Sequence, residues 1–225
     1  MSSVSWKKVT GWSGIAFVVL FLVGLVATGD GPALGDSAAD VREWFDDNEA
    51  AVAWITWSGA LGFALFFLLF ASGLRSILGP ADAANEGIWS RLSFAGAIVF
   101  VAIGGAGSAF WAVLGQEDVR SVASDGTVKA LAAFDTLIFG AILPWGIAVF
   151  LIGASVVILQ SGVMAKWLGW LGLVSTLLIV IGTLWPFTGD DESFLAILSF
   201  IGLPLALLWS LGVSIEILRS DRSAA

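Results

Sequence analysis

ALAAFDTLIFGAILPWGIAVFLIGASVVIL, Ala130 to Leu159, decides the fold, because it carries a single charged residue, Asp135, in 30. A helix of about 20 apolar residues crosses the ~30 Å hydrocarbon core of a bilayer at ~1.5 Å per residue. This run is long enough to span and still tilt, protrude or bend at Pro144. Outward from it, five more apolar runs follow the same rule, at 9–28, 52–74, 92–115, 166–187 and 194–218. Nearly all the charge lies in short clusters between them. With 58% hydrophobic and 12% charged residues, and a mean hydropathy of +0.96, the chain has far more apolar surface than one soluble core could bury. The expected fold is an all-α integral membrane bundle of six transmembrane helices, forming one domain over residues 1–225.

Orientation follows from the basic residues. With the N-terminus cytoplasmic, Lys7, Lys8, Arg75, Arg91, Lys166, Arg219 and Arg222 lie inside and Arg42, Arg120 and Lys129 outside, a split of seven to three that predicts both termini in the cytoplasm. The first run is expected to remain as a span rather than be cleaved as a signal peptide. It exceeds the usual length of such a segment, and Val26-Ala27-Thr28 is a poor small-x-small cleavage site. Tryptophans agree with this frame: Trp12, Trp89, Trp167 and Trp170 fall at the inner boundary and Trp54, Trp57, Trp111 and Trp185 at the outer one, where indole rings gather.

The chain has no cysteine, histidine or tyrosine. That removes the usual ligands of zinc, copper, haem and iron–sulfur clusters, and with them disulfides, thiol nucleophiles and imidazole bases. No deep lysine is placed to hold a Schiff base, and no metal or cofactor is expected. GGAG at Gly104–Gly107 lies inside an apolar run rather than between a strand and a helix. With Ser108 it reads as a small-xxx-small packing face rather than a phosphate loop.

Of eighteen acidic residues, thirteen fall in the three proposed outer loops and four inside. An external face this negative concentrates cations within a Debye length of ~8 Å, although ordinary solvated loops of an acidic proteome look the same. In SAADVREWFDDNEAAVAW, Ser37 caps a predicted helix in which Val41, Trp44 and Phe45 share one face. This short amphipathic helix of the first outer loop is expected to rest on the membrane surface as an anchor or to cover the bundle mouth as a lid.

A faint repeat links the starts of spans one and five. Lys8-x-x-Gly11-Trp12-x-Gly14 and Lys166-x-x-Gly169-Trp170-x-Gly172 share their spacing, a TGD tripeptide begins at Thr28 and at Thr188, and Leu-Arg-Ser begins at Leu74 and at Leu218. Two related hairpins, spans one–two and five–six, would produce it, as would a shared interfacial pattern of Lys, Trp and small residues. The stretch VILQSGVMAKWLGWLGLV, Val157–Val174, together with the acidic helical loop and an Asp-then-Pro fourth span, resembles a group of small six-span membrane proteins common in actinobacteria, known as a domain of unknown function. That resemblance implies a multi-pass protein of the bacterial plasma membrane and brings no activity with it.

An ionised carboxylate in hydrocarbon needs donors. Placed five residues, ~8 Å, below the start of its apolar run, Asp135 shares its expected depth with Ser58, Ser108, Thr183 and Ser199, with Thr136 beside it. Three readings follow. The carboxyl clasps helices together through these hydroxyls, or through Lys129 or Arg120. Alternatively it binds a proton or cation in a pathway from the acidic face. An intramembrane hydrolase comes last, since a lone aspartate has no base to pair with. Pro144 and Pro204 each remove a backbone hydrogen bond near mid-membrane. With Trp145 and Trp209 at similar depth, they mark a candidate apolar cavity for a lipid tail or hydrophobic solute. Glu216 is expected to pair with Arg219. The expected function is a non-enzymatic membrane module binding a lipid or a membrane-protein partner, with a small proton- or cation-coupled transporter or channel using Asp135 as the alternative. A homo-oligomer is permitted by small-residue faces, and no nucleic-acid partner is expected.

Overall fold

The computed structural model describes residues 5–29, 31–188 and 193–222. Asp30, Asp190, Asp191 and Glu192, and with them the ends of both TGD tripeptides, lie outside those residues. Among the described residues every regular element is helical: α1 Trp6–Thr28, α2 Ala38–Asp47, α3 Glu49–Ala60, α4 Leu68–Ala81, α5 Ile88–Leu114, α6 Glu117–Val122, α7 Asp125–Leu137, α8 Leu143–Ser161, α9 Lys166–Gly182 and α10 Phe194–Arg222. A wide π-turn, Leu61–Phe67, joins α3 to α4, and another, Ile138–Ile142, joins α7 to α8. Six helical stretches are long and apolar enough to cross a membrane: Trp6–Ala27, Glu49–Ala81, Ile88–Leu114, Asp125–Ser161, Lys166–Phe187 and Phe194–Asp221. Large side chains such as Phe200 (77% exposed) and Leu177 (60%) point away from the bundle, a surface suited to lipid rather than water.

The second and fourth stretches exceed their apolar runs because helices end at caps, not where hydropathy falls. Ser124 Oγ accepts the Thr127 amide and starts α7 at Asp125, so Asp135 lies ten residues into its helix, ~15 Å by the axial rise, rather than five. Pro144 produces no free-standing kink. The π-turn ahead of it lets the Leu143 amide reach back to the Ile138 carbonyl, and Pro144 then sits in the first turn of α8, where a missing N–H breaks no helical bond.

Each span packs on the next, and the sixth closes on the first. The interior near the middle of the spans is filled by rings. Phe67 lies 4.7 Å from Phe17, 5.1 Å from Phe100 and 5.2 Å from Phe150, centroid to centroid, and Phe150 lies 5.5 Å from Trp209.

The repeat extends to all three hairpins. In the second span of each hairpin, a buried aromatic precedes a glycine by one helical turn: Phe70 and Gly73, Phe150 and Gly153, Trp209 and Gly212. Each glycine meets the first span of its own hairpin, at Thr10, at Ser93 and the Trp89 carbonyl, and at Leu168 and Trp167. Successive hairpins join by a matching contact. Gly169 and Gly172 of α9 sit on Leu159 and Ser155 of α8, and Gly11 and Gly14 of α1 sit on Leu218 and Ser214 of α10. The underlying sequences, GASVVILQS at Gly153 and GVSIEILRS at Gly212, agree. At the third junction Arg75 lies over the Phe94 ring at 5.1 Å, so a cation–π contact takes the place of glycine on serine.

At the end of the bundle holding the first and last described residues, a carboxylate stands at the start of each odd-numbered span, where helix amides are unpaired. Asp82 Oδ2 accepts the Ser90 amide at 2.8 Å, Glu216 Oε1 accepts the Ala165 amide at 2.8 Å, and Asp221 Oδ1 accepts from Ser5 Oγ at 2.6 Å. Glu216 is therefore engaged as a cap on α9, and no ion pair joins it to Arg219 among the described residues.

Candidate functional site: a carboxyl-walled cavity under a helical cap

Asp135 projects from α7 toward α5, where Trp111 Nε1 donates a hydrogen bond to its Oδ2. The other oxygen, Oδ1, is buried and has no hydrogen-bond partner among the described residues. An indole is well suited to this position, since it supplies one donor on a large apolar body.

The Trp111 ring is fixed from the far side by α2. Trp44 meets it edge to face at 5.2 Å and Phe45 at 5.7 Å. Helix α2 forms where the sequence indicates: Ser37 Oγ accepts the Asp40 amide at 3.2 Å, and Asp40 Oδ2 accepts the Ser37 amide at 3.2 Å, a capping box. Its apolar face is buried against protein. Val41 and Phe45 join Val52, Leu114 and Val128 in a second small core. Two arginines fasten the cap. Arg42 donates to Asp125 Oδ1 at 2.7 Å and to the Ala123 carbonyl at 2.8 Å. Arg120, only 3% exposed, bonds Asp46 and the Leu114 carbonyl. Arg120 is thus committed to the cap and does not reach Asp135.

The expected polar layer is divided. Ser58 and Ser108 line one cavity with Asp135. Thr136 Oγ1 donates to the Ala132 carbonyl of its own helix, Thr183 Oγ1 donates to Val180, and Ser199 packs on Gly182 between spans five and six. None of these hydroxyls partners Asp135. The four residues proposed for an apolar cavity are also dispersed. Trp209 is fully buried against Phe150, Trp145 is half exposed, Pro144 opens α8 and Pro204 lies within α10, and none lines either cavity described here.

The cavity beside Asp135 measures about 270 Å³ and is bounded by α1, the α3 span, Trp111 and Ser108 of α5, and Phe139. Missing side chains open it: a Cβ on Gly24 or Gly59 would meet nothing within 4 Å. A second cavity of about 230 Å³ adjoins it along Thr56, Gly59 and Ser108. The walls are apolar apart from Asp135 and hydroxyls, and two of those hydroxyls are spent: Thr56 donates to the Val52 carbonyl and Ser108 to the Gly104 carbonyl, each at 2.9 Å. No cluster of three or more acidic residues able to hold a metal occurs among the described residues.

Trp111→Phe is expected to lower stability by about 1–3 kcal/mol, the cost of stranding a buried polar group. Replacing both partners, as Trp111→Phe with Asp135→Leu, is expected to recover most of that loss, since no unpaired group remains. Thermal melting of the purified variants in detergent measures both, and a double variant that melts below the single one would contradict the assignment.

No protein family, curated protein or solved structure matches the chain.

Proposed function

We propose that the protein is a non-enzymatic, multi-pass module of a bacterial plasma membrane that binds an apolar ligand, a lipid chain or hydrophobic solute, in the cavity beside Asp135. Both termini face the cytoplasm in this reading, and the acidic loops with the α2 cap face outward. The observation that carries it is the cavity itself. Helices in a bundle ordinarily pack closely, yet here two adjoining half-open clefts of about 270 and 230 Å³ are left where glycines carry no side chain. A space about twice the ~150 Å³ cavity that takes benzene has room for a ligand of roughly ten heavy atoms.

A proton- or cation-coupled transporter using Asp135 is the competing reading. The π-turns in spans two and four favour it, since such turns recur at functional sites. Binding is preferred because the buried rings of Phe67, Phe100, Phe150 and Trp209 pack on one another in the bundle interior, where a transport path would have to run.

The test is solvent extraction and native mass spectrometry of the purified protein, with titration of a hydrophobic fluorophore. Wild type is expected to retain or take up an apolar molecule. Gly59→Leu, whose Cβ would meet nothing within 4 Å and whose side chain is directed into the cleft that Gly59 lines, is expected to keep the melting temperature and lose at least tenfold in affinity. A wild type that takes up nothing, or a Gly59→Leu variant that binds unchanged, refutes the reading.

A further inference from the structure

We infer that the cavity beside Asp135 selects an amphiphile with a cationic amine head, the ammonium seated on the Asp135 carboxylate and the apolar body in the space bounded by spans one to four. The inference rests on the ligand-binding reading and deepens it by naming the ligand's chemistry.

The polar capacity left in the walls is chiefly acceptor capacity. The Trp111 N–H, the one indole donor in the lining, is used on Asp135 Oδ2. The hydroxyl protons of Thr56 and Ser108 are spent on backbone carbonyls, so these side chains offer the ligand only lone pairs. Ser58 alone keeps the choice of donating or accepting. Asp135 Oδ1 is buried without a partner, and no lysine or arginine lines the cavity. A carboxylate or phosphate head would face these acceptors with no cation to meet it. A neutral alcohol would satisfy one of them. An ammonium, with up to three donors and a positive charge, answers the set best, and charge-assisted bonds are about twice as strong as neutral ones. The rings of Phe17, Phe21, Trp111 and Phe139 in the same walls add faces on which a cation is held. Apart from the carboxyl and three hydroxyls the space is apolar, so one molecule must supply both head and body, and a bare metal ion or proton would leave most of that space unused.

The experiment uses the full chain in nanodiscs and three probes of nearly equal size: octylamine, octanol and octanoate, titrated by calorimetry at neutral pH. Octylamine is expected to bind at least tenfold more tightly than octanol, and octanoate not measurably. Asp135→Asn is expected to remove the preference for the amine while octanol binding stays within about twofold, which shows that the variant is folded with its cavity intact. Equal binding of all three probes overturns the cationic assignment and leaves the apolar-ligand reading standing. Failure of all three to bind, with wild type melting normally, overturns both. An amine preference that survives in Asp135→Asn also overturns the inference, because the selectivity then comes from the bilayer or another residue.

Discussion

Replacing Gly96 with valine is expected to cost about 3 kcal/mol or more and to leave little folded protein after mild heating, whereas valine at Gly105, nine residues along the same helix, is expected to change little. At Gly96 a Cβ would run into the backbone nitrogen of Phe150 and lie 2.8 Å from the Gly146 carbonyl oxygen, and at Gly146 it would lie 2.5 Å from the Phe100 nitrogen. Spans three and four thus touch backbone to backbone. Overpacking an ordinary core costs about 1–3 kcal/mol because side chains can shift, but here a helix axis would have to move. Lipid is as apolar as the helix surfaces, so association depends on this close fit and on the weak Cα–H···O contacts it allows. Gly105 has nothing within 4 Å of its would-be Cβ. Melting followed by fluorescence-detected size exclusion compares the pair directly. Equal losses at the two positions would mean that helix propensity, and not the α5–α8 contact, sets the cost.

The six spans were legible because apolar run length is a property of composition, and the bilayer imposes it. Their ends were less so, because Ser124 and the other caps lie outside the apolar runs. Asp135 stood out from its surroundings, but its partner did not. A search for hydroxyls at equal depth assumes straight helices with aligned ends, and the donor is an indole 24 residues earlier that reads equally well as an interfacial belt residue. Backbone bonds lost at Pro144 and Pro204, with Trp145 and Trp209 at similar depth, predict a space beside those four residues. It lies instead where side chains are missing, at Gly24, Gly59 and Gly62, because a π-turn absorbs Pro144. The repeat was half visible. Glycine on serine leaves a sequence trace at two junctions, whereas Phe94 and Arg75 keep the position at the third and change the chemistry.

The Asp46–Arg120 pair joins the α2 cap to the bundle, and its two members are expected to respond unequally. Arg120 is 3% exposed and Asp46 60%. Asp46→Ala leaves a guanidinium buried with the Leu114 carbonyl as a remaining partner. Removing one member of a fully buried pair costs about 3–5 kcal/mol, and the solvent around Asp46 reduces that to an expected ~2 kcal/mol. Arg120→Met keeps most of the volume and strands no charge, since the Asp46 carboxylate rehydrates, so about 1 kcal/mol is expected from the Leu114 carbonyl left without its donor. The double variant should then match Arg120→Met rather than the sum, because the penalty of Asp46→Ala exists only while the guanidinium is present. Hydrogen exchange along α2 gives an independent readout. Since Trp44 and Phe45 hold the Trp111 ring that bonds Asp135, a cap loosened by Asp46→Ala is expected to exchange faster at Val41–Phe45 and to weaken ligand retention in the cavity. Faster exchange with retention unchanged would separate the cap from the site and leave it a purely structural lid.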